Sequence, residues 1–176
     1  MPFIIRTETS TDAEAIGEVT KAAFAPLEIS DHNEPYVIEV LRAAGALAVS
    51  LVAECDGEVV GHIAFSPVTI SDGAPGWYAL GPVSVRPDCQ RQGIGAALIR
   101  EGVASLKRLG ARGCCLVGHP DYYPRFGFRH PTDLAVDGVP AEVFFVLPFE
   151  GRVPRGVVSF HEAFRPARPM LPPETR

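Results

Sequence analysis

Two glycines, Gly93 and Gly95, stand one residue apart in the segment VRPDCQRQGIGAALIREG, residues 85–102. They follow a strand-like run and directly precede a helical pattern. The start of a helix has unpaired backbone N–H groups and about half a positive charge, so it attracts an anion. Glycines leave these N–H groups uncovered. The segment therefore predicts a site for a phosphate or pyrophosphate, where Arg91 adds a charge and Gln90 braces the loop or contacts the ligand.

Other glycine motifs fit this segment less well. A Walker A loop is excluded because neither Gly-Lys-Ser nor Gly-Lys-Thr follows. The run GIGAAL begins like the GxGxxG of dinucleotide-binding folds, but the third glycine position holds Leu98. About 60 residues remain after the next strand, too few for the further βα units of that fold. The plainest alternative is that the two glycines form only a strand-to-helix turn.

The hydrophobic pattern predicts the elements that must position this loop. Strands are predicted at FIIRTET, AVSLVAE, EVVGHIAFSPVTI, WYALGPVSV, CCLVG, EVFFVLPF and GVVSF, and the Asp-Gly pair at 56–57 predicts a hairpin between the second and third. Helices are predicted from the Ser-Thr-Asp at 10–12 onward, over 34–44 and over 94–109. Hairpin strands followed by a strand–helix–strand crossover indicate a mixed α+β fold of the broad α/β class. Its central sheet is mixed and flanked by helices.

Composition limits the domain count and the partners. The chain has 176 residues, 47% of them hydrophobic, with a net charge of -5, which is typical of one domain with a full core. We assign residues 1–165 to that domain and 166–176, rich in proline and arginine, to a flexible tail. The acidic balance disfavours nucleic-acid binding. The monomer and the homodimer are both compatible with the sequence.

Location and metal binding follow from other features of the sequence. The longest nearly apolar stretch, residues 43–53, is too short to cross a membrane, and the first residues do not resemble a signal peptide. Four cysteines form neither a CxxC pair nor a ladder of metal ligands. We therefore expect a cytoplasmic protein without a membrane partner and without a metal.

Two motifs resemble those of a known family. QRQGIG, residues 90–95, resembles the (Q/R)xxGx(G/A) acyl-CoA loop of the GCN5-related N-acetyltransferases (GNAT family), and as in that family it follows a strand with an apolar ending and a proline, VSVRP. PDYYPRFGF is similar to the second family signature, in which a tyrosine, here Tyr123, stands four residues before a Gly-Phe pair. With VGHIAFSPV, EVFFVLPF and SFHEAF, the resemblance covers nearly the whole chain and looks closest to the bacterial YhbS-like branch.

The resemblance implies a function and a place for the acyl donor. An acetyl-CoA-dependent N-acetyltransferase would move the acetyl group from CoA to a primary amine of a small molecule or a protein, by direct attack in a ternary complex. The sheet would be mostly antiparallel and twisted, with a splayed strand pair near the end of WYALGPVSV forming the acyl-CoA cleft. Gly81 and Pro82 independently favour a bulge or opening there.

The resemblance also implies the residues that bind the cofactor. Pantetheine would lie along residues 83–85 and the pyrophosphate on the backbone amides of the loop. An asparagine that often follows the crossover strand in the family is replaced here by the His-Pro-Asp at 119–121. The implied set is Val83, Ser84, Val85, Gln90, Arg91, Gln92, Gly93, Gly95, Ala96, His119 and Tyr122.

Acetyl transfer to an amine needs a base, because a lysine-like amine of pKa about 10.4 is almost entirely protonated at neutral pH. Three residues are candidates: His62 on a strand, Glu34 near the start of the second helix, and His119 after CCLVG. Each has a structural alternative, namely a hydrogen-bonded strand histidine, a helix-start acid and a turn residue.

Tyr123 is the residue that the resemblance places opposite the leaving sulfur. We expect it mainly to donate a hydrogen bond to the developing thiolate, because a tyrosine pKa of about 10 exceeds a thiol pKa of about 8.5. Tyr122 competes for this role, and Tyr123 could instead be a core tyrosine packed by Phe126 and Phe128.

Two rival functions remain open from the sequence. One is a catalytically silent acyl-CoA binding or sensor module that keeps the loop and has lost turnover. The other is a nucleotide or dinucleotide binder. Acceptor residues are expected in 24–36 and 71–77, but these segments hold no motif that identifies a ligand.

Overall fold

The computed structural model describes residues 2–27, 30 and 32–165. Within them the chain forms β1 (Ile4–Thr7), α1 (Ala13–Phe24), α2 (Glu34–Ala43), β2 (Val49–Cys55), β3 (Glu58–Pro67), β4 (Thr69–Ile70), β5 (Trp77–Val85), α3 (Ile94–Arg108), β6 (Gly113–Val117), β7 (Leu134–Ala135), β8 (Phe144–Pro148) and β9 (Gly156–Ser159). Each predicted strand and helix has a counterpart, except that the strand predicted over 58–70 is divided at Val68 into β3 and β4, which belong to different sheets. The predicted tail, 166–176, lies outside the described residues.

The main sheet has six strands in the order β1-β2-β3-β5-β6-β8. All neighbours are antiparallel except β5 and β6, which the α3 crossover joins in parallel. The predicted mixed, mostly antiparallel sheet is therefore confirmed. The structure adds a small second sheet, β4-β9-β7. The residues of β4 and β9 were predicted as strands, but β7 was not, because two residues show no periodicity, and the sequence did not indicate that these strands form a sheet of their own.

Local chemistry explains the boundaries of the β2–β3 hairpin. Asp56 and Gly57 have φ angles of 52° and 81°, which is the positive-φ geometry that a two-residue turn requires. Cys55 pairs directly with Glu58 across this turn. The turn sets the register of the residues next to it, and a bulge between Ala53 and Glu54 shifts the pairing by one residue for the rest of the hairpin.

Helices cover both faces of the sheet. The apolar stripe of α3, including Ile94, Leu98 and Leu106, is buried against one face, and Gly102 allows close approach because a Cβ there would overlap the ring of Phe65. On the opposite face Ile16 of α1 and Ile38 of α2 pack on Val52 and neighbouring side chains. In the described part of the chain, none of the helices is long and apolar enough to cross a membrane.

Strands β5 and β6 separate partway along their length. They pair only from Trp77 with Gly113 to Ala79 with Cys115, although both strands continue further. On the other side of β5, Ile63 pairs with Val83 and Phe65 with Leu80, so β5 has an extra residue at 81–82. This bulge turns β5 away from β6, and the expected splayed pair is confirmed.

Candidate active site

The gap between β5 and β6 leads into two adjoining cavities. We call the first the splay cavity: it measures about 520 Å³ and is lined by the diverging strand ends, by Phe24, by the start of α2 and by the turn at 118–123. We call the second the loop cavity: it measures about 950 Å³ and is lined by residues 83–85 and the start of α3. The two share five lining residues, namely Phe24, Leu27, Val83, His119 and Tyr122.

The start of α3 lies open to the loop cavity. Gly93 is the N-cap with φ 86°, and a Cβ added there would meet no atom within 4 Å. The side-chain amide of Gln90 donates to the carbonyl oxygen of Val85 at 3.0 Å, which ties the loop to β5. Gln90, Arg91, Gly93, Gly95 and Ala96 line this cavity. Gln92, predicted with them, lines neither cavity.

Arg125 is a cavity residue that the sequence analysis missed. It lines the loop cavity, its Nε donates to the carbonyl oxygen of Tyr122 at 2.9 Å, and its guanidinium lies 4.6 Å from the centroid of the Tyr122 ring. Arg91 and Arg125 thus bring two positive charges to the cavity with the open helix start. The signal was present in the YPRFGF motif, in which roles were assigned to the tyrosine, the glycine and the phenylalanines but not to the arginine.

The neighbouring tyrosines face different surroundings. The hydroxyl of Tyr122 lies beside α3, 3.6 Å from the position of a Cβ on Gly95. Tyr123 packs edge-on against Phe128, with ring centroids 5.9 Å apart, yet it also lines the splay cavity. Burial raises the pKa of Tyr123 to about 12. Its hydroxyl therefore stays protonated at neutral pH and is available as a hydrogen-bond donor.

Glu34 is the carboxylate of the splay cavity. It stands in the first turn of α2, and its Oε2 accepts a hydrogen bond from the hydroxyl of Ser30 at 2.7 Å. Its Oε1 is buried and has no hydrogen-bond partner among the described residues. A buried carboxylate oxygen without a donor is costly. The geometry therefore suits a donor from outside the chain, such as the N–H of an amine.

His119 lies at the junction of the two cavities and lines both. Its Nδ1 accepts the backbone N–H of Asp121 at 3.1 Å, which leaves the ring proton on Nε2. His119 can therefore donate a hydrogen bond at the position where the family often has an asparagine.

The structure places His62 outside the site. It is fully buried and lines neither cavity, and its Nε2 lies 2.8 Å from the hydroxyl of Ser50, which donates to Glu8 at 2.6 Å. Burial lowers the pKa of His62 to about 4. His62 is thus a hydrogen-bonded strand histidine, and its proposed role as base is corrected because helices cover both faces of its strand.

Ser84, predicted to bind the cofactor, also turns away from the cavity. Its hydroxyl is buried and lies 3.3 Å from the hydroxyl of Thr20 on α1. Ser84 lines the loop cavity, so its backbone is the part left to contact a ligand.

The lowered pKa of His62 predicts that the folded protein loses stability in mild acid. Between pH 6.5 and pH 4 the unfolded chain binds a proton at this position that the folded chain, with a pKa of about 4, does not bind. Stability therefore falls as the pH falls, by about 2 kcal/mol from pH 7 to pH 5. Urea unfolding at both pH values measures this loss, which should largely vanish in His62→Gln. It should persist in His32→Gln, because His32 is exposed; equal losses in all three proteins would contradict the assignment.

Comparison with known proteins identifies the class of this site. Residues 47–130 match the family model of the acetyltransferase (GNAT) domain. Escherichia coli YhbS, an N-acetyltransferase, is 33% identical over 128 residues, which make up 72% of this chain and 74% of YhbS. The chain therefore belongs to the GNAT family and is an acyltransferase, as the two motifs predicted.

Two solved structures share the architecture. A GNAT family acetyltransferase from Brucella melitensis, in complex with acetyl-CoA, is 49% identical, with a TM-score of 0.84 over 93% of this chain and 98% of that chain. YhbS from Escherichia coli in complex with CoA is 30% identical in the structural comparison, with a TM-score of 0.84 over 94% of this chain and 93% of that chain. Both relatives are bacterial.

Proposed function

We propose that this chain transfers the acetyl group of acetyl-CoA to a primary amine, without a metal, in a ternary complex of both substrates. One observation carries the proposal: the two cavities adjoin and share five lining residues. The loop cavity offers an open helix start with two arginines. The splay cavity offers a protonated tyrosine and a carboxylate oxygen that has no hydrogen-bond partner among the described residues. An anionic donor and a cationic acceptor can therefore meet at the junction, beside His119.

The residues of the loop cavity fit coenzyme A. The open amides at the start of α3, with Arg91 and Arg125, suit a pyrophosphate. Beyond Ala79, β5 has no strand partner on its β6 side in the described chain, so its backbone can bond the amides of a pantetheine arm. The relative from Brucella melitensis, whose structure holds acetyl-CoA, supports this assignment.

The reaction joins nitrogen to carbon and releases sulfur. The acceptor nitrogen attacks the carbonyl carbon of the acetyl thioester, a C–N bond forms, the C–S bond breaks, and the CoA thiolate leaves. The acceptor ammonium loses two protons in all. We assign Glu34 to receive the first before the attack, directly or through water, and the second passes from the nitrogen of the tetrahedral intermediate to the released thiolate, which gives free CoA thiol. We assign Tyr123 to donate a hydrogen bond to the departing sulfur, and His119 to orient the donor through its Nε2–H.

The effect of Tyr123→Phe on turnover distinguishes an acetyltransferase from a catalytically silent acyl-CoA binding module. We expect kcat to fall about 10- to 100-fold, because the donor to the developing thiolate is lost, while the Kd for acetyl-CoA changes by less than about twofold. Thiol release and calorimetric titration measure the two quantities. Tyr122→Phe is the matched control, since its hydroxyl lies beside α3, and its kcat should change less.

The outcomes distinguish the rival functions. Acetyl-CoA binding without turnover on any amine would favour the sensor module. Binding of NADH or ATP more tightly than acetyl-CoA, in the same calorimetric experiment, would favour a nucleotide binder and overturn the proposal.

A further inference from the structure

We infer that the acceptor is a small primary monoamine with an apolar, aromatic-sized body and no acidic group. This inference rests on the proposed function and deepens it. Four properties of the splay cavity carry it: its charge, the helix end beside Glu34, its walls and its size.

The charge of the cavity favours a cation and disfavours a second anion. Glu34 is the one carboxylate among the described residues that line it, and neither lysine nor arginine is among them. An ammonium group would find a partner in Glu34, whereas the carboxylate of an amino acid would enter an apolar cavity without a counter-charge, which is costly.

The start of α2 offers little compensation for such a carboxylate. A helix start normally attracts anions, but Glu34 already places its own carboxylate in this first turn. The next residue, Pro35, has no backbone N–H to donate. The positive end of α2 therefore stabilises the charge of Glu34 and leaves few donors for an acceptor anion.

The walls of the cavity are apolar and rich in aromatic rings. Phe24 is the last residue of α1 and Leu27 follows it, Val37 belongs to α2, and Phe160 and Phe164 come from the chain after β9. The rings of Phe160 and Phe164 lie 5.8 Å apart, centroid to centroid. Three phenylalanines around one carboxylate suit an ammonium group on a flat apolar body, since aromatic faces attract cations and pack rings.

The wall after β9 is held in place by α2. Phe164 packs in a cluster with Val37 and Leu41 of α2 and with Ala163 of its own turn. The cavity is therefore bounded on that side by a packed surface. Its volume of about 520 Å³ must hold the acetyl thioester as well as the acceptor, which favours a compact amine.

Polar acceptors fit these walls poorly. A second ammonium group, as in a diamine, would be pressed against apolar side chains, and the hydroxyls of an amino sugar would lose their hydrogen bonds to water. A compact arylalkylamine keeps one ammonium for Glu34 and buries its ring.

Matched amines test the inference. Thiol release is measured with 2-phenylethylamine, L-phenylalaninamide and L-phenylalanine, and with butylamine against 1,4-diaminobutane. We expect kcat/KM at least about tenfold higher for 2-phenylethylamine than for phenylalanine, and about tenfold higher for butylamine than for the diamine. Phenylalaninamide has the branched carbon without the negative charge, so it should resemble the amine rather than the acid.

Binding provides a measurement that does not depend on turnover. Calorimetry of the CoA-loaded protein with 2-phenylethylamine should show binding that Glu34→Gln weakens about tenfold, with the affinity for acetyl-CoA unchanged. A second variant, Phe164→Leu, should raise the KM for 2-phenylethylamine severalfold and leave that for butylamine nearly unchanged.

The outcomes separate the inference from the function on which it rests. Equal or faster acetylation of phenylalanine, of the diamine or of a peptide N-terminus would overturn the acceptor class and leave the transferase intact. Failure to bind acetyl-CoA, or failure of every amine to release thiol, would overturn the proposed function and the inference with it.

Discussion

Replacing Glu34 with glutamine is expected to lower kcat for amine acetylation by about 100- to 1,000-fold, which is the usual contribution of a general base. Glutamine has the size of glutamate and can still bond the hydroxyl of Ser30, which now lies 2.7 Å from Oε2. The variant loses the negative charge and the ability to receive a proton. Steady-state thiol release, with calorimetry for acetyl-CoA, measures the effect.

The control for this variant is a second glutamate on the same helix. Glu39 of α2 is exposed and lines neither cavity, so Glu39→Gln removes the same charge from α2 without touching the site. We expect its kcat to stay within about twofold of the wild type. If Glu34→Gln keeps its rate while His119→Ala loses it, the base is His119 and our assignment is wrong.

Replacing Gly93 with aspartate is expected to weaken acetyl-CoA binding by about 100-fold or more. The side chain would enter the open space at the start of α3, where a Cβ meets no atom within 4 Å. A carboxylate a few ångströms from a phosphate costs a few kcal/mol at an effective dielectric constant of about 20. Since every 1.4 kcal/mol is about a tenfold change in Kd, calorimetric titration would measure the loss easily.

Asparagine at the same position is the matched control. It has the shape of aspartate and similarly tolerates the positive φ of 86° at Gly93, but it has no charge. We expect Gly93→Asn to lose about tenfold or less, and the gap between the variants to narrow at high salt. Equal losses of acetyl-CoA affinity in the two variants would show that the shape of the side chain matters rather than its charge. Normal binding by both variants would show that the two glycines form only a strand-to-helix turn.

The elements around the proposed donor half of the site could be predicted because each depends on a short, contiguous stretch of sequence. The loop that ends at Gly93 and Gly95, the bulge at 81–82 and the turn after Tyr123 each depend on neighbouring residues. Local rules for helix starts, bulges and turns apply directly to such segments. The family model likewise covers 47–130, which includes all three.

The residues of the proposed acceptor half could not be predicted from short segments of the sequence. Glu34, Phe24 and Phe164 lie in three distant segments and meet only through tertiary packing. None belongs to a motif, and all three lie outside 47–130. Glu34 was named as a candidate, but the burial of its Oε1, without a hydrogen-bond partner in the part of the chain that the structure describes, is a property of the folded chain alone.

His62 shows why the sequence could not choose among the possible bases. Alternation along a strand indicates a buried face only when the other face meets water. Here Gly61 faces α3, while His62 on the opposite face is covered as well and is fully buried. With both faces covered, the strand is apolar along its whole length. Its sequence therefore does not show whether a histidine within it faces a cavity or the packed core.

The separation of β5 and β6 means that the slot we propose for the donor is made of main chain. Its recognition groups are peptide N–H and C=O groups, which every substitution except proline retains. Side chains along such a slot can change over evolution without erasing the donors that it presents. A slot of this kind would be marked in the sequence by a bulge, a glycine and a helix start instead of a conspicuous set of polar side chains.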